Sequence, residues 1–420
     1  MFLQIHTLTS YHASLLNRDD AGLAKRLPFG NATRLRVSSQ CLKRHWRERL
    51  QETIALPAGL RTRHFFERVI LRRLVEEEGI PAERAQALTV ALIRLLLTKN
   101  AAKAEKAAKA EKTKKGKKAA AEQPEMEFGD EENDSAEEAT ETAGLLVKQP
   151  ILFGQPEADF LVAVLKECAT SGPDAEKRLQ ERLKKDKENF KAMLAQAGHG
   201  HLYAGLEGAL FGRFVTSDIL SRSDACVHVA HAFTVHPLDT EVDYFTVVDD
   251  LNRDDETGAA HAGDMELGAG LFYGYVAVDV PLLLSNLTGR DRQNWKENKQ
   301  DLHAAQDVLH SLVRTIAEVT PGAKLGSTAP YARADFVLLE TGPQQPRSLA
   351  NAYLQALPPH GNGMEQAIGA LKAYLDAQER MYGATAAFRA VATTGIGDWG
   401  SVPVLPLAEA SDRALAALFE

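Results

Sequence analysis

The sequence predicts an α+β protein whose main domain is interrupted along the chain. Three observations point there. Strand-like stretches occur near the start and again in the C-terminal half, a strongly helical block separates them, and two aromatic-rich runs, "EVDYFTVVDDL" and "GLFYGYVAVDV", read as the arms of a long hairpin.

In chain order, "FLQIHTLTSY" (2–11) alternates Phe2, Gln4 and His6 against Leu3, Ile5 and Thr7 and predicts a strand. Asn17, Asp19 and Asp20 of "LLNRDD" mark a loop, and "PFGN" (28–31) marks a turn. In "LRVSSQCLKRHWRERL" (35–50) an apolar approach runs through Ser38, Ser39 and Gln40 into a helix that either serine can cap. From a start near Ser39, Gln40, Lys43 and Arg47 share one face and Leu42, Trp46 and Leu50 another. Cations in a helix's first turn oppose its dipole unless an anion sits there, and a phosphate would resolve that conflict. A solvated cationic face beside Glu48 is the other reading, and the residues alone leave both open.

Residues 63–97 predict two helices separated by "GIPAER", with Pro81 starting the second. From 98 to 143 the composition turns to Ala, Lys and Glu and then to an acidic run, which predicts a disordered or transiently helical insert. Helices resume at 157–170 and 174–197. "ACVHVAHAFTVH" (225–236) predicts one strand stopped by Pro237, and the hairpin follows with an irregular loop from Asn252 to Gly270. Helices near 279–287 and 297–319, a strand at 334–340, and helices near 347–357 and 363–382 complete the reading.

Composition narrows the function classes. The 420 residues are 45% hydrophobic and 25% charged, without an apolar run of membrane-spanning length or a signal-peptide pattern, so a cytoplasmic location with no membrane partner is expected. Cys41, Cys168 and Cys226 lie far apart, which suggests neither a disulfide framework nor a cysteine zinc site. The net charge of -8 is polarised: residues 122–141 hold ten Asp or Glu and no Lys or Arg. Residues 1–50 hold nine Lys or Arg against Asp19, Asp20 and Glu48, so a basic surface coexists with an acidic total.

The chemistry motifs fail on context. "GIGDWG" (395–400) matches a dinucleotide fingerprint literally, but "SVPVLP" rather than a helix follows it. "PGAKLGST" lacks the adjacent Gly-Lys-Ser/Thr of a phosphate loop. On one strand His228 and His236 would face away from His231, each a core or surface histidine, and His199 and His201 lack a completing ligand, so no metal and no cofactor is expected. Nucleophile and base motifs are missing, which argues against an enzyme. Tyr244, Phe245, Phe272, Tyr273 and Tyr275 on the hairpin can pair across strands as core or stack on bases. Phe214 in "ALFGRFVTS", with Arg213 supplying charge, could join them.

Six ordered blocks carry a family resemblance: "LLNRDD", "LRVSSQCLKRHWR", "ALFGRFVTS", "VAHAFTVHPLDTEVDYFTVVDDL", "GAAHAGDMELGAGLFY" and "PGAKLGSTAPY". Together they resemble the CasC family, the backbone subunit of the CRISPR type I-E Cascade complex. The resemblance implies an RRM-like (ferredoxin-like) palm from 1–50, 206–238 and 275–420, helical fingers from 51–205, and a β-hairpin thumb from 239–274. The insert 98–143 is then a solvent-exposed part of the fingers.

The implied function is non-catalytic. Copies of the chain stack as a helical filament along one CRISPR RNA and leave its spacer free to pair with target DNA. CasA, CasB, CasD and CasE are the other implied partners. Asn17, Arg18, Lys25, Ser38, Ser39, Gln40, Lys43, Arg44, Arg47 and Lys324 match RNA-cradling positions. Phe214, with Arg213 beside it as an RNA-contacting charge, matches a wedge, and Tyr244, Phe245 and Thr246 match the thumb. Ala262 stands where a larger apolar residue is expected. The competing readings are a guide-processing ribonuclease using a histidine and a generic oligomeric single-strand binder.

Overall fold

The computed structural model describes residues 1–97, 145–147, 149–170, 174–185, 202–214, 222–247, 261–322, 325–358, 363–395 and 399–420. The expectations for the insert 98–143, for helix beyond 185, for His199 and His201, for 252–260 of the hairpin loop and for Lys324 lie outside these residues. Contacts divide the chain into two compact units. The first comprises Met1–Ala55, Cys226–Ser285 and Arg290–Glu420, and the second Leu56–Ala225 with Asn286–Gly289.

The first unit is built on an antiparallel sheet. Its strands are β1 (Phe2–Ser14), β2 (Arg26–Phe29) and β3 (Ala32–Val37), which lead into α1 (Ser39–Thr53). The chain continues through the second unit's β4 (Gly59–Thr62), α2 (Arg72–Glu76), α3 (Ala82–Leu97), β5 (Ile151–Gly154), α4 (Gln155–Ala169), α5 (Ala175–Lys185) and α6 (Gly205–Phe211). It returns to the first unit with β6 (Val227–Val229), β7 (Ala232–Thr234), β8 (Thr240–Val247) and β9 (His261–Asp279). Then follow α7 (Val280–Thr288), α8 (Lys299–Glu318), β10 (Phe336–Gly342), α9 (Gly363–Tyr382), β11 (Phe388–Thr393) and α10 (Leu407–Phe419). The sheet order is β11-β10-β1-β9-β7-β3-β2, with β6 and β8 also pairing with β9.

β1 lies between β10 and β9, with His6 opposite Leu338 on one side and Tyr275 on the other. Ile5, Thr7 and Tyr11 face Leu42 and Trp46 of α1 and Ile316 of α8 across a cavity of about 40 Å³. Leu8, Tyr273 and Phe336 instead pack with Ile368, Leu371 and Leu375 of α9. Both faces are therefore covered. The alternation in β1 separates two interiors rather than core from water, and every residue from Leu3 to Thr9 is buried.

The polar residues of β1 are matched to that burial. Glu340, fully buried, accepts two hydrogen bonds each from Arg347 and Arg389 and one from His6 Nε2 at 3.2 Å. His6 Nδ1 meets the Tyr273 hydroxyl at 2.9 Å, and that hydroxyl accepts from Leu349 N. Burial pushes the Glu340 carboxyl up, but His6 and Arg347 outweigh it and hold it well below the usual carboxylate range. Burial holds the His6 imidazole below its ordinary value against the pull of Glu340.

Several expectations are corrected by tertiary pairing. Residues 225–236 form two strands, because three residues (230–232) oppose two (274–275) between the Val229–Val276 and Phe233–Tyr273 pairs, a β-bulge. Residues 261–270, expected as loop, belong to β9. Their glycines serve close approach rather than turning: a Cβ on Gly263 would lie 2.7 Å from Phe245 Cζ, and one on Gly268 2.6 Å from Leu35 Cδ1. The helix expected near 347–357 is a 3₁₀ turn, Ala350–Tyr353. Its backbone is used elsewhere, with Tyr353 O accepting from Arg34 Nη2 and Leu357 N donating to Val235 O. β11 and α10 were not expected.

In the second unit the two helices of 63–97 form: a π-helical turn (Phe66–Leu71) runs into α2, and α3 follows Pro81. Phe65 and Phe153 stack at 3.8 Å between ring centroids within its core. Arg213, expected to contact RNA, is instead a structural cation. It is 3% exposed, and its Nη1 and Nη2 reach the Glu157 carboxylate at 2.6 and 2.8 Å while Nη1 also donates to Leu152 O. A guanidinium so enclosed cannot leave its carboxylate without stranding a buried charge.

Candidate nucleic-acid interface

The loop between β1 and β2 folds onto the start of α1 through backbone bonds. Ser38 N donates to Asn17 Oδ1 at 2.9 Å, Lys25 N to Asn17 O at 2.8 Å, and Arg36 N to Lys25 O at 2.8 Å. Asp19 Oδ1 closes the loop tip by accepting from Ala21 N and Leu23 N. Glu266, 5% exposed on β9, accepts from Ala24 N at 2.7 Å and from Arg26. Asn17, Arg18, Lys25 and Ser39, separated in sequence, thus share one surface with Arg36, whereas Ser38 is buried.

Helix α1 begins at Ser39 with Ser38 as its cap, whose Oγ accepts from Cys41 N at 3.3 Å. Leu42, Trp46 and Leu50 are buried, so the opposite stripe, Gln40, Lys43, Arg44 and Arg47, faces outward or half outward. Arg44 pairs with Glu48 at 3.1 Å. Two of the helix's first three amides are already taken: Ser38 takes Cys41 N, and Ser39 N donates to His231 Nδ1 at 2.8 Å. Positive charge at this end comes from side chains. Among the described residues Arg18, Lys25, Arg36 and Arg47 have no ion-pair partner. Their field is felt locally, since burial first and then Arg36 and Lys25 push the His231 imidazole down. Burial raises the Cys41 thiol against the opposing pull of Arg44 and Lys25.

Arg36 and His231 were missed in the sequence. Arg36 lies inside the block that carries the serines, but it is one of nine Lys or Arg in the first fifty residues and sequence alone does not rank them. His231 needed the bulge, which a strand pattern does not reveal.

The hairpin has two distinct faces. Cross-strand pairs put Val242, Tyr244 and Thr246 beside Glu266, Asp264 and Ala262, and Asp243 and Phe245 beside Met265 and Gly263. Since Glu266 holds Ala24 and Arg26, the Tyr244 face is the one turned toward the basic loop. Tyr244 is 67% exposed, whereas Phe245 is 38% exposed with its ring laid over Gly263. Of the other hairpin aromatics, Phe272 and Tyr273 are core. In the second unit Phe214 is 80% exposed, with the Arg222 guanidinium 5.1 Å from its ring. Among the described residues no group of His, Cys, Asp or Glu could hold a metal ion, and no helix is long and apolar enough to cross a membrane.

A sheet protein with a basic loop-and-helix surface and an exposed aromatic hairpin is the class that this geometry defines. The chain belongs to the CT1975-like protein family, whose profile matches residues 3–418. It is similar in structure to a chain described as "CRISPR RNA-guided surveillance complex, pre-nicking", with TM-score 0.69 and 23% identity over 99% of this chain and 100% of that one. A chain described as "CRISPR RNA-guided surveillance complex" gives TM-score 0.55 and 19% identity, with 99% of each covered. At these identities the likeness establishes a shared fold. No curated protein matches the chain.

Proposed function

We propose that this protein is a guide-RNA-binding backbone subunit of a Cascade-type CRISPR surveillance complex, of type I-E as the sequence blocks suggest. Its copies assemble along one CRISPR RNA with CasA, CasB, CasD and CasE as further partners, and the exposed spacer bases pair with target DNA. The observation that carries this is the gathering of Arg18, Lys25, Arg36, Lys43 and Arg47 around the β3–α1 junction. Phosphate contacts position a nucleic acid without reading it, which suits a protein that must accept any spacer.

An RRM-like palm is supported by strand order. Taking β1, α1, β6 with β7, β9, α8 and β10 as β-α-β-β-α-β, the spatial order is fourth, first, third, second. Phe214 and the Tyr244 face of the hairpin are the proposed base wedges, and Phe245 supports the hairpin by covering Gly263.

The test is binding of the full chain to single-stranded CRISPR RNA carrying an arbitrary spacer, followed across salt concentrations. Lys43→Glu and Arg47→Glu should each weaken binding at least about tenfold and lower the log–log salt slope by roughly 0.7 per lost contact. Unchanged affinity in both variants would sink the proposal. Cleavage of a repeat hairpin by this chain alone would favour the ribonuclease reading instead.

A further inference from the structure

The bulge at Ala230–His231 sets the backbone so that His231 lies over the first turn of α1, where its Nδ1 accepts from Ser39 N at 2.8 Å. Accepting there requires the imidazole to be neutral with its proton on Nε2. The ring is exposed, and Nε2 has no hydrogen-bond partner among the described residues. On the β3 side of this strand lies Arg36, opposite Phe233, and next to it Lys25, whose carbonyl accepts from Arg36 N. A fixed, uncharged N–H donor therefore stands among unpaired cations.

We infer that His231 is a further contact to the RNA backbone, locked by Ser39 in the Nε2–H tautomer and donating that proton to a phosphate oxygen held beside Lys25 and Arg36. The inference rests on the RNA-binding reading above and adds a chemically different member to it. Cations bind phosphate from any direction and release counterions, whereas a neutral donor on a fixed ring adds direction without changing the ion count. It also accounts for the helix end: the Ser39 amide orients the imidazole instead of meeting the anion itself.

The experiment uses the full chain and a fluorescent single-stranded RNA of one repeat–spacer unit. His231→Asn keeps an acceptor near Ser39 N but is too short to donate outward. We expect about a tenfold loss of affinity, the scale of one hydrogen bond to a charged group, with the salt slope unchanged. Arg36→Gln should lose affinity and lower the slope by roughly 0.7. Independently of any variant, ¹⁵N-histidine spectra should show the Nε2–H tautomer before RNA is added and a shift of that nitrogen afterwards. Full affinity in His231→Asn while Arg36→Gln is weakened would overturn this inference and leave the RNA-binding surface standing. A fall in slope with His231→Asn, or a free-protein tautomer protonated on Nδ1, would overturn it too. If Lys43→Glu, Arg47→Glu and Arg36→Gln all bind normally, the surface itself has been misread.

Discussion

Replacing Arg213 separates a structural cation from an RNA contact. Its guanidinium and the Glu157 carboxylate are 1% and 0% exposed, joined by two short hydrogen bonds, with a third from Arg213 to Leu152 O. Removing one partner of such a pair costs about 3–5 kcal/mol, against about 1 kcal/mol or less for an exposed pair. In Arg213→Ala, Glu157 would keep, among the described residues, the N–H of Gly154, 3.4 Å away at the start of α4. Burial pushes that carboxyl up, and the variant lacks the opposing pull of Arg213. Its folded pKa then lies above the unfolded value, so the folded state binds the extra proton. The variant's deficit should be full at neutral pH and shrink as pH falls through the raised pKa.

Urea unfolding followed by far-UV circular dichroism, with hydrogen exchange of peptides from β5 and α4, measures the loss. Tryptophan fluorescence does not report on this unit, because Trp46, Trp295 and Trp399 all lie in the other one. The double variant Arg213→Met with Glu157→Leu should recover most of the stability, since an apolar pair leaves no charge stranded. A loss below about 1 kcal/mol in Arg213→Ala, joined to a drop in the RNA salt slope, would refute the assignment and return Arg213 to the RNA.

Three further predictions concern the first unit and are read by its tryptophans. Gly30 has φ +62°, and a Cβ there would lie 1.6 Å from Leu354 O. Gly30→Ala should therefore cost at least about 1–2 kcal/mol from its left-handed backbone alone, and a wild-type urea midpoint would contradict this. Ser38→Ala should cost about 1 kcal/mol through the lost cap, and Asn17→Ala about 1–3 kcal/mol by leaving the Ser38 amide unpaired; equal melting of both variants and wild type would count against the pinned loop. Acid should weaken this unit in two windows. His6 is depressed in the fold, so stability falls as pH drops below its ordinary 6.5, and Glu340 is depressed too, so stability falls further below 4.5. Urea midpoints that stay level from neutral pH to about pH 4 would rule out the buried network as drawn.

How far the sequence alone reached depends on the range of the interaction concerned. Helix α1, a serine cap at Ser38 or Ser39 and the buried Leu42, Trp46 and Leu50 could be read directly, because capping and the 3.6-residue period are properties of neighbours in the chain. So could β1, the paired helices around Pro81 and the basic character of the N-terminal fifty residues. The role of Arg213 could not, since its partner Glu157 is 56 residues away and a cation looks the same in sequence whether it is solvated or buried. Nor could the strand character of 261–270, where glycines that admit Leu35 and Phe245 resemble the glycines of a loop. The bulge that turns His231 onto Ser39 exists only as a one-residue mismatch with β9. Local propensity and composition thus determined which elements form and where charge is concentrated. Long-range pairing alone decided which charges are neutralised inside, which remain on the surface, and which imidazole nitrogen carries a proton, because those depend on desolvation and on partners that the chain brings together only by folding.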